Sequence, residues 1–189
     1  MKRRNVLKQV SLLAATTLTG SMVAANEQNA KQPEPVLTIA HITDVHIRPE
    51  EEAPDRFKKC LKLVKQHKID FVLNGGDSIH AADYNDITRA RVSEQWNVWF
   101  DCMKELTGYE VYSCIGNHDP WWAAPGKDDT MYGKEYVVKQ LNIPHRYYSF
   151  SKKGWHFIIL DGNNPGIKLD DEQYQWLEQD IAALPSNTP

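Results

Sequence analysis

Apolar and polar positions along the chain switch repeatedly between two periods. Residues 36–42, "VLTIAHI", form a short and nearly continuous apolar run, the pattern of a strand covered on both faces. Over 54–67 the period lengthens: Phe57, Cys60, Leu61 and Val64 recur at i, i+3, i+4 and i+7 among lysines, which predicts an amphipathic helix. "IDFVL" is a second buried run, and a helix over about 86–106 follows it, with Val92, Trp96, Trp99, Met103 and Leu106 on one stripe. "YEVYSCI" is the third run. Beyond a loop that begins "PWWAAPGKDDTMYGKEY", the segments "RYYSF" and "WHFIIL" predict a hairpin across "SKKG", and residues 170–182 a further helix.

Strands alternating with helices imply a largely parallel sheet with right-handed crossovers, and such sheets bind ligands beyond the carboxyl ends of their strands. Each of the first three apolar runs ends in a polar cluster: "TDVH", "NGGD" and "GNHD". Asp44, His46, Asp77, Asn117 and His118 are therefore expected on one sheet edge although they are far apart in sequence. Carboxylate, imidazole and amide oxygen without thiolate suit divalent or trivalent Mn, Fe, Zn, Co or Ni. Gly75 and Gly76 allow a sharp turn that brings Asp77 close. Taken singly, D-x-H also describes a helix N-cap beside a surface histidine, and G-G-D also describes a turn. G-N-H-D is more specific, since Asn followed by His makes a poor strand terminus without a partner. All three in this order, each after a strand, leave coincidence a weak account.

These motifs resemble the calcineurin-like metallophosphoesterase family, whose pattern of D-x-H, G-D and G-N-H-[DE] is matched by Asp44/His46, Gly76/Asp77 and Gly116/Asn117/His118/Asp119 over about residues 36–182. The resemblance implies an α/β fold, a sandwich of two mixed sheets flanked by helices (αββα). It implies two divalent or trivalent metal ions: Asp44 and His46 on the first, Asp77 bridging, Asn117 on the second. It also implies that a metal-bound hydroxide attacks phosphorus in a small phosphomonoester or phosphodiester, while His118 protonates the leaving oxygen or stabilises its charge. Cyclic-nucleotide phosphodiesterase activity falls in that range, as related small bacterial enzymes have it.

The sequence departs from the family in two places. The family adds a later isolated His and a G-H-x-H pair, and here no histidine follows His156. The expectation is a domain over 36–189 that is incomplete at its C-terminus, and the alternative is an inactive binding module that keeps the fold without a complete metal site. His80 stands where purple acid phosphatases carry an iron-binding Tyr, which argues against that subgroup. His80, Asp119, Trp121 and Trp122 are expected behind the ligands or at the substrate rim, the tryptophans either as a wall for a leaving group such as a nucleobase or as anchors of their loop. His41, His67, His145, His156 and Asp161 read as structural.

Composition narrows the setting. At 189 residues, 41% hydrophobic and 25% charged, the chain suits one globular domain. Residues 1–25 have the build of an export signal, with a basic start, a weakly apolar stretch and small residues before Asn26. "KRRNVLK" is similar to a twin-arginine signal, although Lys2 and Val6 depart from its usual residues, and a Sec signal is the other reading. Export to the periplasm or cell surface is expected, with 26–35 as a linker. Loss of Lys2, Arg3, Arg4 and Lys8 with the signal leaves 18 of the 22 basic residues against 25 acidic ones, a net of −7. Such a surface argues against nucleic acid or an anionic membrane as partner. Cys60, Cys102 and Cys114 are odd in number and lack CxxC spacing, so they make no disulfide framework; Cys60 and Cys114 read as small core residues.

Overall fold

The computed structural model describes residues 37–189, so the expected signal (1–25) and linker (26–35) lie outside the described residues. Three short strands, β1 (Ile39–Ile42), β2 (Phe71–Asn74) and β3 (Val111–Ser113), form a parallel sheet in that order. Phe71 and Val72 of the central strand are fully buried. β1 lies at the sheet edge, and His41 on it is exposed, so the expectation of a strand covered on both faces holds for β2 and not for β1. The register pairs Ile42 with Asn74 and Asn74 with Ser113, so all three strands end level. Whatever follows them begins at the same height.

Helices α1 (Ala53–Val64) and α2 (Arg89–Met103) make the crossovers. Pro54 in the first turn of α1 pre-sets the helical φ where its missing N–H costs nothing. Thr88 caps α2 by accepting from Arg91 N–H at 3.2 Å. The stripe of α2 is buried as its spacing predicts, with Trp96 and Trp99 at 1% and 2% exposure, and Phe57 of α1 stacks on Trp99 at 5.7 Å. Cys60 is exposed, against expectation, because Leu61 and Phe57 carry the buried side of α1. Cys114 is half-buried.

An additional helix, α3 (Gly133–Leu141), begins within the stretch expected to be loop. It has no side-chain N-cap and opens on a glycine, so neither usual start signal is present. Strands β4 (Tyr148–Lys152) and β5 (Trp155–Ile159) form the expected hairpin as a separate antiparallel sheet. Lys153 and Gly154 between them both have positive φ, as a two-residue hairpin turn demands. Among the described residues the first sheet is wholly parallel and the second antiparallel. The hairpin docks on β3 through Tyr148, whose hydroxyl accepts from Ser113 N–H at 2.9 Å and donates to Ser113 C=O at 3.1 Å. Phe150 stacks on Tyr112 with ring centroids 3.5 Å apart. Helix α4 (Asp171–Ala182) closes the far side, where Asp180 accepts from Ser149 at 2.6 Å and meets His156 at 2.8 Å. Among the described residues no helix is long and apolar enough to cross a membrane.

Candidate metal centre

The segment after β1 runs beside the segment after β2 as a continuation of their ladder. Asp44 N–H donates to Gly76 C=O at 3.1 Å, His46 N–H to Asp77 C=O at 3.0 Å and Ile47 N–H to Ser78 C=O at 3.0 Å. Asp44, His46 and Asp77 each adopt a left-handed backbone, with φ of 54°, 47° and 51°. For non-glycine residues this costs about 1–3 kcal/mol each and persists only where the surroundings impose it. Glycines make the imposition possible. A Cβ on Gly76 would lie 2.5 Å from Gly116 N, and one on Gly116 would lie 2.0 Å from Asp77 N, so the second and third loops touch backbone to backbone.

Asp119 fastens these loops from behind. Its side chain is fully buried, with Oδ1 accepting from Ser78 N–H at 2.8 Å and Ile79 N–H at 3.3 Å. Oδ2 accepts from Gly116 N–H at 2.8 Å and Asp77 N–H at 3.1 Å. Burial pushes the Asp119 carboxyl up to about 6, against the pull of these N–H donors, and the nearby Asp77 charge adds to the rise.

On the solvent side, His46 Nε2 stands 3.8 Å from Asp77 Oδ2 and 4.0 Å from Asp44 Oδ1. Donor atoms of His46, Asp77 and His118 all lie within 4.8 Å of one another. Two atoms each about 2.1 Å from one ion are separated by roughly 3–4 Å, so this donor set could hold a nitrogen- and oxygen-seeking metal ion after a small closure of the side chains. His46 Nδ1 lies 3.2 Å from His80 C=O, the bond that turns Nε2 toward the carboxylates. Asp44 and Asn117 are exposed, and both line a cleft of about 600 Å³ with Asp77. The sheet edge thus gathers Asp44, His46, Asp77, Asn117 and His118.

His118 is bound at both ends of its residue. Its backbone N–H donates to Asp77 Oδ1 at 2.9 Å, and its ring Nδ1 is paired with Asp83 Oδ1 at 2.7 Å, which leaves Nε2 without a hydrogen bond among the described residues. Its ring lies 4.9 Å from that of His46. Asp83 was missed in the sequence because "HAADYND" has no motif and reads as a polar loop. The His80 ring, 6.3 Å from His46, has its pKa lowered first by burial and then by the positive charge of Arg48. The two tryptophans part company. Trp121 is 3% exposed and sits in the core, its indole N–H donating to Ile87 C=O at 3.2 Å, so it anchors the loop and is absent from the rim. Trp122 is 43% exposed and lines a neighbouring cleft.

The sequence profile of calcineurin-like phosphoesterases matches residues 37–188. The chain belongs to this family. Solved structures with the same fold include a purple acid phosphatase from yellow lupin (Lupinus luteus) seeds, 18% identical with a TM-score of 0.53, and a dimetal phosphatase from Danio rerio, 16% identical with a TM-score of 0.50. The first alignment covers 82% of this chain and 30% of the lupin chain; the second covers 76% of this chain and 51% of the fish chain. The chain therefore spans about half or less of the length of either protein. No curated protein matches it in sequence.

Proposed function

We propose that this chain carries the catalytic edge of a phosphoesterase that uses two bound metal ions to hydrolyse small phosphomonoesters or phosphodiesters. The observation that supports it most is the level ending of three parallel strands, from which Asp44, His46, Asp77, Asn117 and His118 reach one edge in a family of phosphoesterases. Asp44, His46 and Asp77 would hold one ion, and Asp77 and Asn117 would contribute to the second, with Mn, Fe, Zn, Co and Ni all suited to such donors. When bound, the ions supply charge stabilisation at the phosphoryl oxygens and a water of lowered pKa.

The chain's own residues do the rest. Asp83 fixes the orientation and tautomer of His118, so that Nε2 can give a proton to the leaving oxygen or stabilise its charge. Asp77 Oδ1 is spoken for by the His118 N–H, which holds the acid and the bridging carboxylate in one rigid unit. Cyclic nucleotides are one substrate group within this reading. Export by the twin-arginine route belongs to the same proposal and is supported by "KRRNVLK" and the weakly apolar stretch after it.

The test expresses the full chain, adds Mn, and follows a nitrophenyl phosphomonoester and phosphodiester beside the Asp77→Asn variant. Hydrolysis above that of buffer with the same metal, removed by Asp77→Asn, supports the proposal. A rate equal to buffer favours a binding module that keeps the fold.

A further inference from the structure

Next to the metal edge lies a second cleft, of about 720 Å³, whose lining includes Trp122, Tyr132, Lys134, Arg146, Asn163 and Asn164. That is ample for a small organic ligand. Asn163 also lines the cleft that holds Asp44, Asp77 and Asn117, so the two clefts adjoin there. The Asn163 backbone is tied down, its N–H to Asp161 Oδ1 at 3.0 Å and its C=O to Lys134 Nζ. Its side-chain amide has no hydrogen bond among the described residues.

The aromatic wall is built and held. Trp121 already anchors the loop, so Trp122 is not needed for that purpose, and its ring stays 43% exposed. The ring rests on Gly133, where a Cβ would come within 2.8 Å of Cζ3, and Tyr132 meets it edge-on at 5.5 Å and 79°. An aromatic face kept in place and left open is ready for stacking at little entropic cost.

The charges in the cleft select against a second phosphate. Lys134 spends all three ammonium donors, on Asp161 Oδ2 at 2.6 Å, Asn164 Oδ1 at 2.9 Å and Asn163 C=O. Arg146 is paired with Asp161 at 3.0 Å and Asp170 at 2.8 Å. Both cations are only 13% exposed, and Glu135 and Asp170 add negative charge to the lining. Among the described residues, neither cation of the lining is left without a carboxylate partner.

We propose that this cleft receives the alcohol portion of the substrate, an uncharged aromatic or heteroaromatic group that stacks on Trp122 with its polar edge toward Asn163. As a statement about substrate it rests on the phosphoester reading above, but as a statement about a ligand it does not. The preferred esters are then those of aromatic or nucleoside alcohols, and pyrophosphate-type chains are disfavoured.

Adenosine, which carries the ring and no phosphate, tests the cleft without turnover. The full chain should bind it by calorimetry, and Trp122→Ala should weaken binding by about tenfold, the order that one base-to-aromatic stack supplies. Trp122→Phe should keep most of the affinity. An amide spectrum of the wild type gives the same answer should the alanine variant not fold: adenosine must move the indole N–H resonance that Trp122→Phe removes. No binding, equal binding by Trp122→Ala, or movement of other indoles alone overturns the proposal. With Mn present, Trp122→Ala should raise the KM for 1-naphthyl phosphate about tenfold more than that for ethyl phosphate, and equal changes would count against it. A chain that hydrolyses neither ester yet binds adenosine through Trp122 sinks the phosphoesterase reading and sustains the cleft.

Discussion

His118 and Asp83 are joined by a 2.7 Å contact between Nδ1 and Oδ1, with each side chain 26% exposed. The pair lies 35 residues apart in sequence and meets because Ala82 N–H also bonds the His118 C=O at 2.7 Å. Asp83→Asn keeps an acceptor for Nδ1 and loses the negative charge beside the ring. It should lower kcat by about 10–100-fold, the usual cost of losing an orienting partner, and leave the metal content alone. The loss should be greater for alkoxide than for nitrophenolate leaving groups. A uniform loss across leaving groups would mark Asp83 as merely structural.

His118→Ala should cost more, about 10²–10⁴-fold in kcat, because the side chain proposed to donate the proton is itself gone. Elemental analysis carries a second message, since the His118 ring lies within ligand range of His46 and Asp77. Retention of all metal fits an acid held by Asp83. Loss of an ion would reassign His118 as a ligand.

Asp77→Asn should remove turnover and reduce the metal bound per chain. Asp77 lies 3.8 Å from His46 and shares a cleft with Asn117, and an amide could not replace the charge of a carboxylate proposed to serve two ions. Unchanged metal content with a normal rate would exclude the bridging role.

The sequence was legible where local punctuation and topology coincide. Three apolar runs, each stopped by a glycine or a polar cluster, were enough to place the D-x-H, G-G-D and G-N-H-D loops together, because parallel strands must end on one side. What escaped was held by contacts with no local signal. Helix α3 opens on Gly133 without a capping side chain, and its glycine is there for the Trp122 ring. Asp83 gains a role only when the chain folds His118 back over it. Cys60 satisfied a helical period and still faces solvent, since a stripe of three apolar residues is already wide enough for the short α1. The separate fates of Trp121 and Trp122 were invisible, as adjacent identical residues offer no basis for choosing which one is buried.

Gly116→Ala should damage the site without replacing any proposed ligand. The new Cβ would fall 2.0 Å from Asp77 N and 2.1 Å from Asp77 Oδ1, and backbone cannot yield as a flexible side chain does. Either the second loop moves, taking Asp77 with it, or the variant does not fold. Gly108→Ala is the control: its φ is positive, at 97°, which that of Gly116 is not, but a Cβ there meets nothing within 4 Å. The control should lose about 1 kcal/mol from strain and keep its metal, as thermal melts and elemental analysis would read. Equal metal loss in both variants would count against the close contact as the cause.

Asp119→Asn tests whether the two loops are held from behind. The carboxylate serves four N–H donors, two on each oxygen: Ser78 and Ile79 on Oδ1, Gly116 and Asp77 on Oδ2. An amide has one oxygen, so whichever way it turns, an NH₂ group faces two donors and both lose their acceptor. Each buried donor left unpaired costs about 1–3 kcal/mol. Part of this is returned, because the variant no longer buries a charge. The net should be a loss of about 1–3 kcal/mol in urea unfolding at neutral pH, together with roughly a 10–100-fold weaker hold on Mn. Both effects have one origin, since Asp77 is among the residues released and its left-handed backbone needs the support. Asp119→Asn that unfolds like the wild type and binds Mn as well would show that the ladder between the first two loops suffices alone.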